Sequence, residues 1–121
     1  VNAYNFQEQF AEPIKRGVKR STIRARRKTG YVPLVGEALK LYTGMRTRSC
    51  ELLRMVVTTN VRPILIYHDE TPVRVVLDGH VLAAGHVNDL WKQEGFASVR
   101  EFAEFFSKTH ASGAPLYLIE W

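Results

Sequence analysis

The 121 residues hold one cysteine, Cys50. A single thiol makes no intramolecular disulfide and leaves no cysteine-based metal site, so cytoplasmic residence is the simplest expectation. No histidine lies near Cys50 in sequence, and it reads as a small packing residue rather than a nucleophile. No apolar run approaches the length that crosses a bilayer, and the first residues show no signal-peptide pattern, so no membrane partner is expected. His68, His80, His86 and His110 have no close metal-ligand spacing; neither a metal nor a cofactor is expected. Repeats, linkers and low-complexity segments are also missing. The chain reads as one domain over residues 1–121, long enough to bury a real core.

Acidic residues are scarce in one half only. Residues 1–62 carry 13 Lys or Arg against 4 Asp or Glu, a balance of +9, and residues 63–121 carry 4 against 8, a balance of −4. A chain polarised in this way offers one basic surface to a polyanion. RNA, DNA or a phosphorylated small molecule would each fit.

The positive charge is densest in Gly17-Val18-Lys19-Arg20-Ser21-Thr22-Ile23-Arg24-Ala25-Arg26-Arg27-Lys28. Gly17 reads as the C′ residue of a preceding helix. Thr22 and Ile23 are β-branched, and a strand there puts Thr22 and Arg24 on one face with Ile23 turned toward the core. A helix end, a tight turn carrying Lys19 and a strand would bring an amine, a hydroxyl and a guanidinium to one edge of a cavity. The plain alternative is a solvated basic face.

The other elements follow from periodicity and turn chemistry. Tyr4–Phe6 fits a short strand. Gln7–Arg16 fits an amphipathic helix shortened or kinked by Pro13. A basic loop covers Arg26–Leu34, where Tyr31 could stack on a base or cover the core edge. Ala38–Tyr42 alternates as a half-buried strand, and a Gly44 loop carrying Arg46 and Arg48 follows. Cys50–Thr59 and Arg62–His68 read as two strands joined near Asn60, or as one long bent strand pair. Val73–Leu77 and His80–Leu82 flank Asp78-Gly79, the strongest hairpin signal in the chain. Asn88 is a candidate cap for a helix reaching Glu94 and stopped by Gly95. Ser98 with Glu101 forms a capping-box pattern before Val99–Lys108, in which Phe102, Phe105 and Phe106 share a helical face. Leu116–Trp121 reads as a final strand. The sum is an α+β fold: a small, mostly antiparallel barrel with about three flanking helices.

The Gly17–Arg24 motif, the strand opening at Gly36, Trp91-Lys92-Gln93-Glu94-Gly95-Phe96 with its following helix, and the closing Leu116–Trp121 together resemble the ASCH domain of the PUA-like superfamily. The resemblance covers most of the chain. It implies a compact PUA-like β-barrel with flanking helices, and an association with RNA or modified nucleosides. Some small bacterial ASCH proteins are N4-acetylcytidine amidohydrolases that use a Lys, a Thr and a Glu. Those positions fall on Lys19, Thr22 and Glu94. The chain departs from the small hydrolases in its basic loop 26–34, in Thr43–Arg48 and in a longer middle from Asn60 to His86.

Amide hydrolysis needs a nucleophile, a base and an oxyanion stabiliser. Thr22 is the nucleophile that the resemblance implies. Lys19 would take its proton if burial or neighbouring cations lower the amine's pKa. Glu94 could orient Lys19, hold the exocyclic nitrogen of a cytosine-like ring, or raise the Lys19 pKa as a salt-bridge partner. The bland counterpart is an ion pair joining helix to sheet. Arg24 could clamp a phosphate or a carbonyl. Arg26, Arg27, Lys28 and Arg46 are candidate phosphate contacts, and Tyr42 and Tyr117 candidate stacking surfaces or packing residues. Two functions therefore stand as expectations: a hydrolase of N4-acylated cytidine, or an RNA-binding module that is non-catalytic or weakly ribonucleolytic.

Overall fold

The computed structural model describes residues 2–121. In chain order it contains β1 (Asn2–Phe6), a 3-10 turn (Glu8–Phe10), α1 (Ala11–Lys15), β2 (Ser21–Arg24), β3 (Ala38–Thr43), β4 (Glu51–Val57) and β5 (Asn60–Tyr67). β6 (Arg74–Leu77), β7 (His80–Val81), α2 (Ala84–Gln93), α3 (Val99–Ser107) and β8 (Leu116–Glu120) complete it. The fold is α+β and sheet-rich, with three α-helices. No described helix is long and apolar enough to cross a membrane.

Backbone pairing makes two sheets, one of order β1-β3-β4 and one of order β2-β8-β5-β6-β7. Every ladder is antiparallel except β1 with β3. Of the two readings of Cys50–His68, two separate strands are found, and the bent strand pair is corrected: β4 and β5 lie in different sheets. The crossing occurs at two residues. Thr58 N–H donates to Glu37 O on the smaller sheet's side, and Thr59 N–H donates to Glu120 O of the larger one. Their β-branched sequence reads as continuous strand, but adjacent N–H groups bonded to different sheets turn a corner.

Local signals explain most element ends. Gly17 N–H donates to Ile14 O and Val18 N–H to Pro13 O, the paired bonds of a Schellman motif, with Gly17 at φ 73°. Pro13 lies in the first turn of α1, where its missing N–H costs nothing. The helical stretch before Gly17 is therefore a 3-10 turn followed by a short α-helix. Asp78-Gly79 closes a two-residue turn with Leu77 opposite His80. Ser98 Oγ accepts from Glu101 N–H at 3.1 Å and starts α3. Asn88, expected to cap α2, is a correction. The helix begins at Ala84 after an extended Ala83 that makes no side-chain cap. Asn88 sits mid-helix, where its Oδ1 accepts from Trp91 Nε1.

The core gathers inward residues from both sheets, among them Phe6, Leu39, Leu41, Ile64, Ile66, Leu118 and Ile119, and from the helices Ile14, Phe102 and Phe106. Each such side chain contributes roughly 1.5–3 kcal/mol by leaving water. At one end Phe10, Phe96, Phe102, Phe105 and Phe106 pack edge to face, with centroids 5.1–5.9 Å apart in the closest pairs. This aromatic cluster joins the 3-10 turn before α1 and helix α3 to the segment leaving α2, and four of its rings form walls for the cavity beside Lys19.

Candidate functional site

Three local structures converge on that cavity. The Schellman turn carries the chain from α1 into Lys19, whose N–H donates to Pro13 O. β2 follows and presents Thr22 and Arg24 on one face while Ile23 enters the core. α2 ends with Glu94 as its C-cap, and Gly95 turns the chain away at φ 94°. A side chain at Gly95 would meet the Phe10 ring, with a Cβ 3.1 Å from Cδ1. The turn that places Glu94 is thus also fitted against an aromatic wall.

Lys19 and Glu94 are buried, at 3% and 2% exposure. Lys19 Nζ donates to Glu94 Oε1 at 3.2 Å and to Glu94 O at 2.9 Å. The second carboxylate oxygen, Oε2, accepts from Ser21 Oγ, and Gln93 Nε2 donates to Ser21 Oγ at 3.2 Å. Both oxygens of Glu94 are therefore held. The Lys19 ammonium also lies 5.0 Å from the Phe10 ring centre. Burial lowers the Lys19 pKa from its ordinary value; the charge and hydrogen bond of Glu94 oppose this, and Arg24 adds to it. The net direction is downward because the amine has left water almost completely.

Thr22 is buried in the same wall. Its Oγ1 accepts from Arg24 Nε at 3.0 Å, which leaves the hydroxyl proton free to be given elsewhere. Arg24 Nη2 donates to Asn5 O at 2.6 Å, and the guanidinium lies over Phe6 and Tyr4 at 4.7 and 5.1 Å. Burial lowers its pKa to about 10, so it stays charged at neutral pH. The cavity has a volume of about 300 Å³ and is lined by Lys19, Thr22, Arg24 and Glu94 together with Asn5, Gln7, Thr109, His110 and the rings of Phe6, Phe10, Phe96, Phe105 and Phe106. Burial, with Arg24 and His68 nearby, lowers the His110 pKa and favours the neutral ring.

Lys19, Thr22, Glu94 and Arg24 thus come together, although Glu94 lies 75 positions from Lys19. The other candidates are placed differently. Arg26 reaches Gly30 O and Tyr117 Oη, at 2.9 and 2.8 Å. Arg27 donates to Ala3 O and lies over the Tyr4 and Tyr31 rings. Lys28 is exposed. Arg46 is exposed at the edge of a second cavity that also includes Arg24 and Arg27. Tyr42 is half-buried on β3 opposite Leu52, and Tyr117 lies on β8 opposite Arg24; neither lines the Lys19 cavity.

Sequence reasoning missed Ser21 and Gln93, which hold Glu94 from behind. A serine between an arginine and a threonine carries no signal of its own. It also read Phe105 and Phe106 only as one face of a helix, although they line the cavity together with Phe10 and Phe96. Among the described residues, no group of three or more His, Cys, Asp or Glu side chains is placed to hold a metal ion. No family model, no curated protein and no solved structure matches the chain.

Proposed function

We propose that this chain is an amidohydrolase acting on an N4-acylated cytidine, on a PUA-like barrel of the ASCH kind. One observation carries the reading: a lysine–glutamate pair withdrawn from water shares an aromatic-walled cavity with a threonine hydroxyl. The barrel reading is supported by two mostly antiparallel sheets joined through the Thr58-Thr59 corner and the Arg24-to-Asn5 bond. A volume of about 300 Å³ lies at the small end of ligand pockets and suits one pyrimidine ring with a short acyl group.

The chemistry follows from the residues. In the fraction of molecules whose Lys19–Glu94 pair has shed its proton, Thr22 Oγ1 attacks the acyl carbonyl carbon while its own proton passes to Lys19 Nζ. Arg24, already bonded to Thr22 Oγ1, offers positive charge to the oxyanion. Collapse breaks the bond to N4 of the cytosine, and Lys19 returns the proton to that nitrogen. Water then attacks the acyl-threonine, Lys19 takes its proton, and the carboxylic acid leaves as the hydroxyl is restored. Both Glu94 oxygens are engaged by Lys19 and Ser21, which supports a positioning role for Glu94. Burial of Lys19 supports its service as a base. The test is release of acetate from N4-acetylcytidine; no turnover of this or other N4-acylated cytidines overturns the proposal.

The second reading is an RNA-binding module, non-catalytic or weakly ribonucleolytic, acting in the cytoplasm. The arginine-lined cavity that adjoins the site favours it. The two readings separate on turnover, which only the first requires.

A further inference from the structure

Beside the Lys19 cavity lies another, of about 470 Å³, and the two share Asn5 and Arg24 in their linings. The second contains three arginines, Arg24, Arg27 and Arg46, and no carboxylate. Among the described residues none of the three forms a salt bridge. Three guanidinium groups around one hollow repel one another, and Glu94, whose charge reaches Arg24, is already paired with Lys19.

They are held by other means. Tyr4 underlies Arg24 at 5.1 Å and Arg27 at 4.6 Å, and Tyr31 lies 5.3 Å from Arg27. Backbone oxygens take one bond from each, Asn5 O from Arg24 and Ala3 O from Arg27. Rings and carbonyls orient a guanidinium without neutralising it, and each keeps donors to spare among its five N–H groups. Arg46 is reached through an uncommon backbone, with φ 67° at a non-glycine residue. The turn before it is tied to β1 by Met45 N–H donating to Asn5 Oδ1 at 3.0 Å. Asn5 thus borders both cavities and anchors the loop that brings in Arg46. The strain is located where it adds a cation to the hollow.

We infer that the ligand carries a phosphate, seated by Arg24, Arg27 and Arg46, while its base occupies the Lys19 cavity. The inference rests on the nucleoside reading of that cavity and narrows its substrate class to a pyrimidine nucleotide. The held guanidinium forks of Arg24 and Arg27 match phosphate oxygens, exposed Arg46 can close over them, and a phosphate supplies negative charge to all three. The phosphate has two possible sources, a terminal monoester or an internal diester of a single strand. Arg24 links the two functions, touching the Thr22 hydroxyl on one side and the phosphate hollow on the other.

The test compares binding, by calorimetry at low salt, of cytidine, cytidine 5′-monophosphate and a trinucleotide with central cytidine. The monophosphate is expected to bind about tenfold or more tighter than cytidine. Arg46→Ala should remove much of that difference and Arg46→Glu nearly all of it, while cytidine affinity stays as in the wild type. Arg46 is exposed, so both variants should fold, and their unfolding curves provide the control. A trinucleotide that outbinds the monophosphate keeps the phosphate seat and assigns it to a chain. Equal affinity for cytidine and its monophosphate, no binding of any of the three, or a preference that survives Arg46→Glu overturns the inference. Because binding alone is read, a chain that prefers the phosphate yet never releases acetate keeps this seat and loses the amidohydrolase. One that hydrolyses without phosphate preference does the reverse.

Discussion

Lys19 Nζ lies 3.2 Å from Glu94 Oε1 in an ion pair closed to water, formed across 75 positions of the chain. It ties the turn after α1 to the end of α2. Removing one partner leaves the other charge buried and alone. Glu94→Gln is therefore expected to cost on the order of 3–5 kcal/mol in urea unfolding at neutral pH. A loss below about 1 kcal/mol would mean that the site is wetter than its geometry shows.

The same pair predicts a pH dependence. Lys19 has a folded pKa below its ordinary 10.5, so between those two values the unfolded chain binds more protons. Stability from this group should rise as pH rises through that window, and be lost as pH falls through the folded pKa. Glu94→Gln removes the opposing cause and should extend the window to lower pH. Urea midpoints across an alkaline series, compared with Lys19→Met, check the sign. A wild type whose stability falls through the window while Lys19→Met stays flat would contradict it.

Turnover supplies the next prediction. Thr22→Ala should lower acetate release from N4-acetylcytidine on the order of a thousandfold while leaving binding nearly intact. Lys19→Arg should be equally inactive, because a guanidinium does not give up its proton at working pH. Ser21→Ala should keep measurable turnover, since Ser21 holds Glu94 rather than the substrate. It should lose about 1.5–3 kcal/mol of stability with its bond to a buried carboxylate. Activity that persists in Thr22→Ala would move the nucleophile to a water.

Gly95→Ala tests the turn. The position has φ 94°, and the new Cβ would sit 3.1 Å from Phe10 Cδ1. A cost of about 1–3 kcal/mol is expected, with the Phe10 wall displaced beside Lys19. Thermal unfolding reads the first effect and loss of nucleoside binding the second; unchanged values in both would free the turn from the site.

The basic loop should divide by residue. Arg27 is packed against two tyrosine rings, so Arg27→Ala should cost about 1–2 kcal/mol of stability. Lys28→Ala should change stability by less than about 0.5 kcal/mol and lower only the salt slope of single-strand RNA binding. Equal stability effects at the two positions would contradict the contacts.

Features written in adjacent residues were legible. Gly17 past a helix, Thr22 and Arg24 on one strand face, the Asp78-Gly79 turn and the Ser98 cap each depend on a few neighbours, and each is found. The start of α2 was not, because Ala83-Ala84-Gly85 offers no capping side chain and Asn88 offers a false one. The sheet change at Thr58-Thr59 was hidden for a different reason. Its partners, Glu37 and Glu120, are far away in sequence. The place of Glu94 was suggested by resemblance, not by any pattern around it. The hold of Ser21 and Gln93 on it depends on packing between α2 and β2, which no local window contains. The tyrosines beneath Arg24 and Arg27 were likewise out of reach.

β8 lies between β2 and β5 at the heart of the larger sheet, and it follows every other described strand in the chain. On the ribosome, β2 emerges with no partner and stays so until β8 has been translated. A nascent chain stopped before Leu116 can form the β3–β4 and β5–β6 hairpins, whose contacts are close in sequence, but it leaves Ile23 uncovered and two strand edges open. Such an intermediate keeps those edges open until β8 pairs with both strands, and an open edge is prone to non-native pairing. The wall bearing Lys19 and Thr22 therefore becomes rigid only after β8 has paired with β2.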